Sequence, residues 1–147
     1  MTSTELSMKE RRDFFNKELV DELRRVQEYV SREPMLEKKV YYFSAAYGIT
    51  GRTFRYSFSK NVLLADFVLT QVYHQMFEAI KQMKGGNPSV KLSGEHFEKI
   101  CDLLGSLADK FESKDDNIQS QLEDLLAVGF SITSVGNYLA EKGDLKI

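Results

Sequence analysis

The apolar side chains near the start of the chain recur at steps of three and four residues. Such steps place them on one face of a helix, and charged residues occupy the opposite face. Ser7 and Glu10 have the spacing of a helix capping box, so the pattern predicts a first helix over residues 8–32. Its apolar face consists of Phe15, Leu19, Leu23, Val26 and Val30.

Two glycines interrupt the pattern of the next segment. Residues 35–47 have helical periodicity, and we expect this second helix to end at Gly48, because glycine is a weak helix former. Residues 52–59 alternate aromatic and polar side chains, which is typical of a strand. Since a lone strand has no partner in this chain, we interpret residues 52–59 as an irregular linker or a helical turn.

The third predicted helix, residues 62–84, is apolar on every side over its first two turns. Leu63, Leu64 and Phe67 lie opposite its main apolar face. A helix that is apolar all round must be covered all round. We therefore expect this helix to form the centre of a bundle, or its first half to lie in a subunit interface.

The last third of the chain predicts three more helices. Their expected N-caps are Ser93 for the fourth, Asp115 or Asp116 for the fifth, and Ser131 or Thr133 for a short sixth. A break at Gly129 separates the last two. We predict an all-α fold, a single helical-bundle domain over residues 1–147 with four principal helices plus one or two short C-terminal helices.

Length and composition agree with this class. A chain of 147 residues that is 42% hydrophobic and 29% charged is typical of one soluble domain. The first eight residues lack the apolar run of a signal peptide, and no stretch approaches the roughly 20 apolar residues of a membrane span. We expect a cytoplasmic protein without membrane contact. The net charge of −2 gives no general attraction to nucleic acid.

One segment departs from the average composition. Residues 38–65 contain five Lys or Arg and no Asp or Glu, and they are rich in Tyr and Phe. Within it, residues 48–60 begin with an expected loop at Gly48 and Gly51 that offers backbone N–H groups, two Thr hydroxyls and two arginine forks. These are the groups that bind phosphate, so residues 48–60 predict a site for a nucleotide or another phosphate-bearing ligand. The candidate ligand-binding residues are Thr50, Gly51, Arg52, Thr53, Arg55 and Lys60.

Two other interpretations of the same segment stay open. Interleaved aromatic side chains can stack on bases, so single-stranded nucleic acid is a second candidate ligand. Alternatively, the aromatic side chains belong to the core or to an interface, where Tyr, Phe and Arg are common. Arg52 or Arg55 would then pair with Asp66, whose neighbours in the sequence are apolar.

Catalytic and metal-binding patterns are sparse. Asp66, Thr70, His74 and Glu78 follow one another at four-residue steps, but the Glu-x-x-His pairs of di-iron bundles are absent. Cys101 has apolar neighbours, which favours a buried, unreactive thiol. We expect no metal, no cofactor and no catalytic residue, and the sequence leaves open whether the protein is an enzyme.

Two resemblances concern the C-terminal residues. Residues 129–139 resemble the turn and recognition helix of helix-turn-helix DNA-binding proteins, and residues 126–145 resemble the first two helices of a ubiquitin-associated domain. The recognition helix would carry no Arg or Lys, in a segment that is strongly acidic, so double-stranded DNA is not an expected partner. Both resemblances are typical of any helix–glycine–helix corner.

The whole chain resembles an uncharacterised family of small archaeal helical-bundle proteins. The resemblance lies in the opening Ser-Thr-Glu-Leu-Ser-Met-Lys-Glu-Arg-Arg and in Tyr41-Tyr42-Phe43. It implies an all-α bundle and no known activity. Our first hypothesis is a non-enzymatic bundle that self-associates, by default as a dimer or a dimer of dimers.

Overall fold

The computed structural model describes residues 7–132, which form five helices and no strand. The helices are α1 (Met8–Arg32), α2 (Leu36–Ser57), α3 (Lys60–Lys84), α4 (Gly94–Glu112) and α5 (Gln119–Ile132). The predicted all-α bundle is therefore confirmed.

α1 begins and ends at the residues that the sequence predicted. Oγ of Ser7 accepts a hydrogen bond from the N–H of Glu10 at 3.1 Å, which fixes the first turn. Pro34 follows the helix by two residues, where no further helical hydrogen bond is needed. Leu19, Leu23 and the other small apolar members of the predicted face are buried.

α2 does not end at Gly48, contrary to the prediction. It continues through Gly48 and Gly51, so residues 52–57 belong to a long helix rather than to a linker or an isolated turn. One continuous buried face explains the difference, because its burial outweighs the roughly 1 kcal/mol that each glycine costs in a helix. The buried side chains of α2 are Lys39, Val40, Phe43, Ala46, Thr50 and Thr53.

α5 begins later than predicted. Its first residue is Gln119, so neither Asp115 nor Asp116 is its N-cap. The Asp115 carboxylate instead accepts a hydrogen bond from the N–H of Asn117 at 2.9 Å, within the turn that precedes the helix.

Gly129 does not break α5, which is continuous to Ile132. A Cβ atom at Gly129 would overlap Oε1 of Gln75 on α3, so the missing side chain lets the two helices approach closely. The turn that both C-terminal resemblances need at this glycine is therefore absent. Thr133 and the remainder of the predicted sixth helix lie outside the described residues.

The helices pack in a closed cycle around one core. α1 packs on α2, α2 on α3, α3 on α5, α5 on α4, and α4 on α1. Two side-chain amides join α1 to α4, since Asn16 Nδ2 donates to the carbonyl of Phe111 at 3.0 Å and Gln27 Nε2 to that of Cys101 at 2.9 Å. Within residues 7–132, no helix has both the length and the apolar character to cross a membrane.

Candidate functional site

The six predicted ligand-binding residues do not converge on one site. Because α2 is helical across this segment, the expected glycine loop does not exist, and consecutive side chains point in different directions. Thr50 and Thr53 are buried, whereas Arg52, Arg55 and Lys60 are exposed.

Thr50 and Gly51 belong to a contact between α2 and α3. The hydroxyl of Thr50 donates to Oδ1 of Asp66 at 2.7 Å, and a Cβ atom at Gly51 would lie 3.4 Å from the same oxygen. The partner of Asp66 is therefore a hydroxyl and not the expected arginine. Arg52 lies instead 3.7 Å from Oε2 of Glu18 on α1.

Part of the basic, aromatic segment serves the packing of the bundle. Lys39 is buried, and its Nζ donates to the carbonyl of Val30 near the end of α1, where a cation stabilises the helix. The ring of Tyr56 stacks on Phe15 with 4.5 Å between the centroids. These contacts favour the structural interpretation of those residues, and single-stranded nucleic-acid binding stays a prediction.

A cleft of about 610 Å³, lined by both polar and apolar side chains, lies at one end of the bundle. Its walls are the first turns of α1, the corner between α2 and α3, and the end of α4 with the turn that follows. Of the six predicted residues only Thr53 lines this cleft. Ser59, which is the N-cap of α3, and Asn61 line the cleft at the start of α3. The volume is typical of a small-molecule site.

Charged side chains of both signs line the cleft. Nζ of Lys114 lies 3.1 Å from the Asp13 carboxylate, and Nζ of Lys110 lies 2.9 Å from that of Asp115. The Asn117 N–H and the Lys110 ammonium hold the pKa of Asp115 below its usual value.

The other charged side chains of the cleft are Lys9, Arg12 and Asp116. None of these three forms an ion pair within residues 7–132. Apart from its two ion pairs, the cleft therefore contains two cations and one carboxylate, which gives it a small excess of positive charge.

Thr53 contributes an unusual group to the cleft wall. Its side chain is 1% exposed, and its hydroxyl has no hydrogen-bond partner among the described residues. Phe58 and Lys114, both on the cleft, have φ values of 53° and 57°, and no other non-glycine residue of the described chain has a positive φ. Both residues stand at the C-terminal end of a helix, α2 and α4 respectively, where a left-handed residue is common and is usually glycine.

A second candidate surface is the outer face of α3. Leu64 is 40% exposed and Phe67 62% exposed, on successive turns of the helix. The exposed positions that continue this line are Lys60, Gln71, His74 and Glu78. The sequence predicted that this apolar half of α3 would need a cover, and within residues 7–132 no element covers these two side chains.

The other titratable candidates have structural positions. Nδ1 of His96 accepts a hydrogen bond from the N–H of Ser93 at the start of α4, at 3.1 Å, and burial lowers the pKa of His96. Burial raises the pKa of the Cys101 thiol, in line with the unreactive thiol that we expect. Within residues 7–132, no three His, Cys, Asp or Glu side chains are grouped so as to hold a metal.

The cleft could not be predicted from the sequence, because its walls come from three distant parts of the chain. Arg12 and Lys110 are almost a hundred positions apart, and no local pattern links them. The one available indication was the polar run Ser57, Ser59 and Asn61 between two apolar helices, which is typical of an exposed corner.

No family model, curated protein or solved structure matches this chain. The resemblance to archaeal helical bundles therefore stays a prediction, and the function must be argued from the residues themselves.

Proposed function

We propose that this protein is a self-associating helical bundle in which the outer face of α3 binds the same face of a second copy. The observation that carries the proposal is the exposure of Leu64 and Phe67, at 40% and 62%, on one line of a helix. Large apolar side chains grouped on a surface are typical of interaction sites. A leucine and a phenylalanine on adjacent turns also match the composition of an interface centre.

The spacing of this line favours a second copy of the chain as the occupant. Lys60, Leu64 and Phe67 are followed by Gln71, His74 and Glu78, at alternating steps of four and three residues. Those are the steps of a helix–helix seam. The intervals along the line have the same order when counted from either end. Two copies of the line can therefore pair antiparallel about a two-fold axis.

Charge complementarity supports the same register. When two copies of the line are placed antiparallel, Lys60 of each copy faces Glu78 of the other. Between these charge pairs Leu64 faces His74 and Phe67 faces Gln71, so each apolar side chain lies opposite a polar one near the two-fold axis. Within one chain the Glu78 carboxylate lies 3.7 Å from Nζ of Lys81 and accepts a hydrogen bond from Nε2 of Gln82 at 3.5 Å, and both contacts are long and exposed. Paired charges at the ends of an antiparallel seam determine register and orientation.

The mass in solution tests the proposal. Analytical ultracentrifugation over a range of micromolar concentrations should give a species of twice 16.9 kDa or a multiple of it. Phe67→Glu should shift this species to the monomer without unfolding the chain, because the side chain is mostly exposed. Tyr41→Glu is the matched control, since Tyr41 is 72% exposed on α2 and should leave the mass unchanged.

Charge reversal tests the register. Lys60→Glu and Glu78→Lys should each weaken association, and the double variant should restore it, because the pairs are then re-formed with opposite sign. Monomeric wild-type protein at these concentrations would refute self-association. Association that survives Phe67→Glu would place the interface elsewhere on the molecule.

A further inference from the structure

We infer that the cleft at the end of the bundle binds a small organic phosphate monoester, with its phosphoryl group at the start of α3 and its apolar part against Phe58. This inference is independent of self-association, which uses the outer face of α3. It concerns a site different from the predicted segment of α2, of which only Thr53 lines the cleft.

The start of α3 supplies the anion-binding end. The first N–H groups of a helix have no partner within the helix, and they carry the positive end of its dipole. Ser59 accepts from the N–H groups of Val62 and Leu63, which leaves those of Lys60 and Asn61 for a ligand, and no acidic side chain occupies the first turn. Oxygen atoms of a phosphoryl group are the usual ligands of such a helix start.

Side-chain charge determines how many phosphoryl groups the cleft can hold. Lys9 and Arg12 have no ion pair within the described residues, whereas the other two cations of the cleft are neutralised by aspartates. The Asp116 carboxylate opposes them, and its backbone carbonyl accepts from Asn61 Nδ2 at 3.0 Å, close to the start of α3. One carboxylate against two free cations favours a monophosphate over a triphosphate.

The Thr53 hydroxyl is the independent observation that points to a ligand. A buried hydroxyl without a partner destabilises the folded protein, and buried polar groups in proteins almost always have one. Thr53 lines the cleft, is 1% exposed and lacks a partner within residues 7–132. The hydroxyl oxygen has almost no accessible surface in this conformation, so the side chain would turn toward the cleft about its χ1 angle to take a ligand oxygen as its missing partner.

The apolar part of the site completes the ligand class. Phe58 is 70% exposed at the cleft, although its backbone has the left-handed conformation that usually selects glycine at a helix end. The side chains of Val62 and Phe111 also line the cleft. A planar or apolar group on the phosphate ester would pack against these side chains.

Isothermal titration calorimetry of the full chain tests the inference with four probes: AMP, adenosine, inorganic phosphate and ATP. AMP should bind at least tenfold more tightly than adenosine, and more tightly than inorganic phosphate or ATP. Its affinity should fall as salt rises. The inference is overturned if AMP shows no saturable binding up to millimolar concentration, or if adenosine binds equally well.

Variants connect the binding to the cleft. Arg12→Gln should weaken AMP at least tenfold, while Arg11→Gln, an exposed neighbour that does not line the cleft, should leave it unchanged. Phe67→Glu should also leave it unchanged, which separates this site from the self-association surface. Equal effects of the two arginine variants would mean a non-specific charge effect and would refute the site.

Two substitutions of Thr53 distinguish a ligand-binding role of its hydroxyl from a structural role. Thr53→Val keeps the shape but removes the hydroxyl, so it should weaken AMP while melting at or above the wild-type temperature. Thr53→Ser keeps the hydroxyl and should retain binding. If Thr53→Val melts well below the wild type, the hydroxyl stabilises the fold and the inference is refuted. If Thr53→Val binds AMP as tightly as the wild type does, the ligand does not contact the hydroxyl.

Discussion

The Thr50 hydroxyl should stabilise the contact between α2 and α3 through Asp66, and Thr50→Val measures this. Valine has nearly the shape of threonine, so the buried space stays filled while the donor is lost. The hydroxyl has one proton and three acceptors within reach, the carbonyls of Ala46 and Tyr47 at 3.2 and 2.9 Å and Oδ1 of Asp66 at 2.7 Å. The carboxylate is the nearest acceptor and the charged one.

The size of the effect follows from that geometry. A hydrogen bond to a charged group contributes about 1.5–3 kcal/mol to stability. Asp66 is only half-buried, so water replaces part of the lost bond, and the expected loss lies near the lower end. We expect Thr50→Val to lower the free energy of unfolding by about 1.5 kcal/mol, or the melting temperature by about 3–6 °C.

Urea unfolding followed by circular dichroism measures this loss, with Thr53→Val as the matched control. Thr53 lies one turn further along α2 and is equally buried, but its hydroxyl has no partner among the described residues. The control should lose no stability. A loss below about 0.5 kcal/mol for Thr50→Val, or equal losses for both variants, would refute the assignment of Thr50 as the partner of Asp66.

Four further predictions concern other contacts. Gly105→Ala should destabilise the wild type, because the new Cβ atom would lie 2.5 Å from Gln27 Nε2. In a Gln27→Ala background, which removes this clash, the same change should stabilise the helix by about 0.5–1 kcal/mol. A double-mutant cycle in urea measures the difference. Arg52→Ala should cost less than about 0.5 kcal/mol in the same assay, since its ion pair is long and exposed. Cys101 should not react with Ellman's reagent at pH 8 until the chain is unfolded, because burial raises its pKa. Burial lowers the pKa of His96 below its value of about 6.5 in the unfolded chain, so protonation favours unfolding. The contribution of His96 to stability should be complete above about pH 6.5 and should fall as the pH drops below it. His96→Gln should flatten this part of a profile of melting temperature against pH.

The helix ends that are determined by capping residues close by in the sequence could be predicted closely. α1 has a capping serine before it, a proline after it and a regular apolar face between them, and the structure matches the predicted range of residues 8–32. The start of α4 after Ser93 was predicted in the same way. Such signals act within a few residues, so they can be recognised without knowledge of the tertiary contacts.

Glycine was misread where its role depends on another helix. Gly51 lies beneath the Asp66 carboxylate and Gly129 beside Gln75, so both serve the close approach of two helices. The sequence alone suggested breaks at Gly48 and Gly129, because it shows the weak helix propensity of glycine. At Gly129 it does not show the neighbour that needs the space, whereas Gly48 has no neighbour within 4 Å of its Cβ position and is simply carried inside a helix with a continuous buried face. The start of α5 was misplaced for a related reason, since the Asp115 carboxylate caps a turn rather than a helix.

The same distinction between local signals and tertiary contacts applies to the candidate sites. The apolar outer face of α3 was visible in the sequence, because Leu64 and Phe67 share one helix. The cleft was not, since Arg12, Thr53 and Lys110 become neighbours only after the bundle has closed. The phosphate-binding chemistry predicted for residues 48–60 depended on a loop, and α2 instead disperses the side chains of residues 50–55 around its circumference.

The cyclic order of the helices has a consequence for folding. Three of the five packed pairs, α1 with α2, α2 with α3 and α4 with α5, join helices that are adjacent along the chain, so each can form with a small loop-closure entropy. The pair α1 with α4 spans the longest sequence separation, so its formation has the largest loop-closure entropy unless the other pairs have already formed. The bundle should therefore assemble from local hairpins and close last along the seam between α1 and α4. The same seam should open first when partial unfolding is followed by hydrogen exchange.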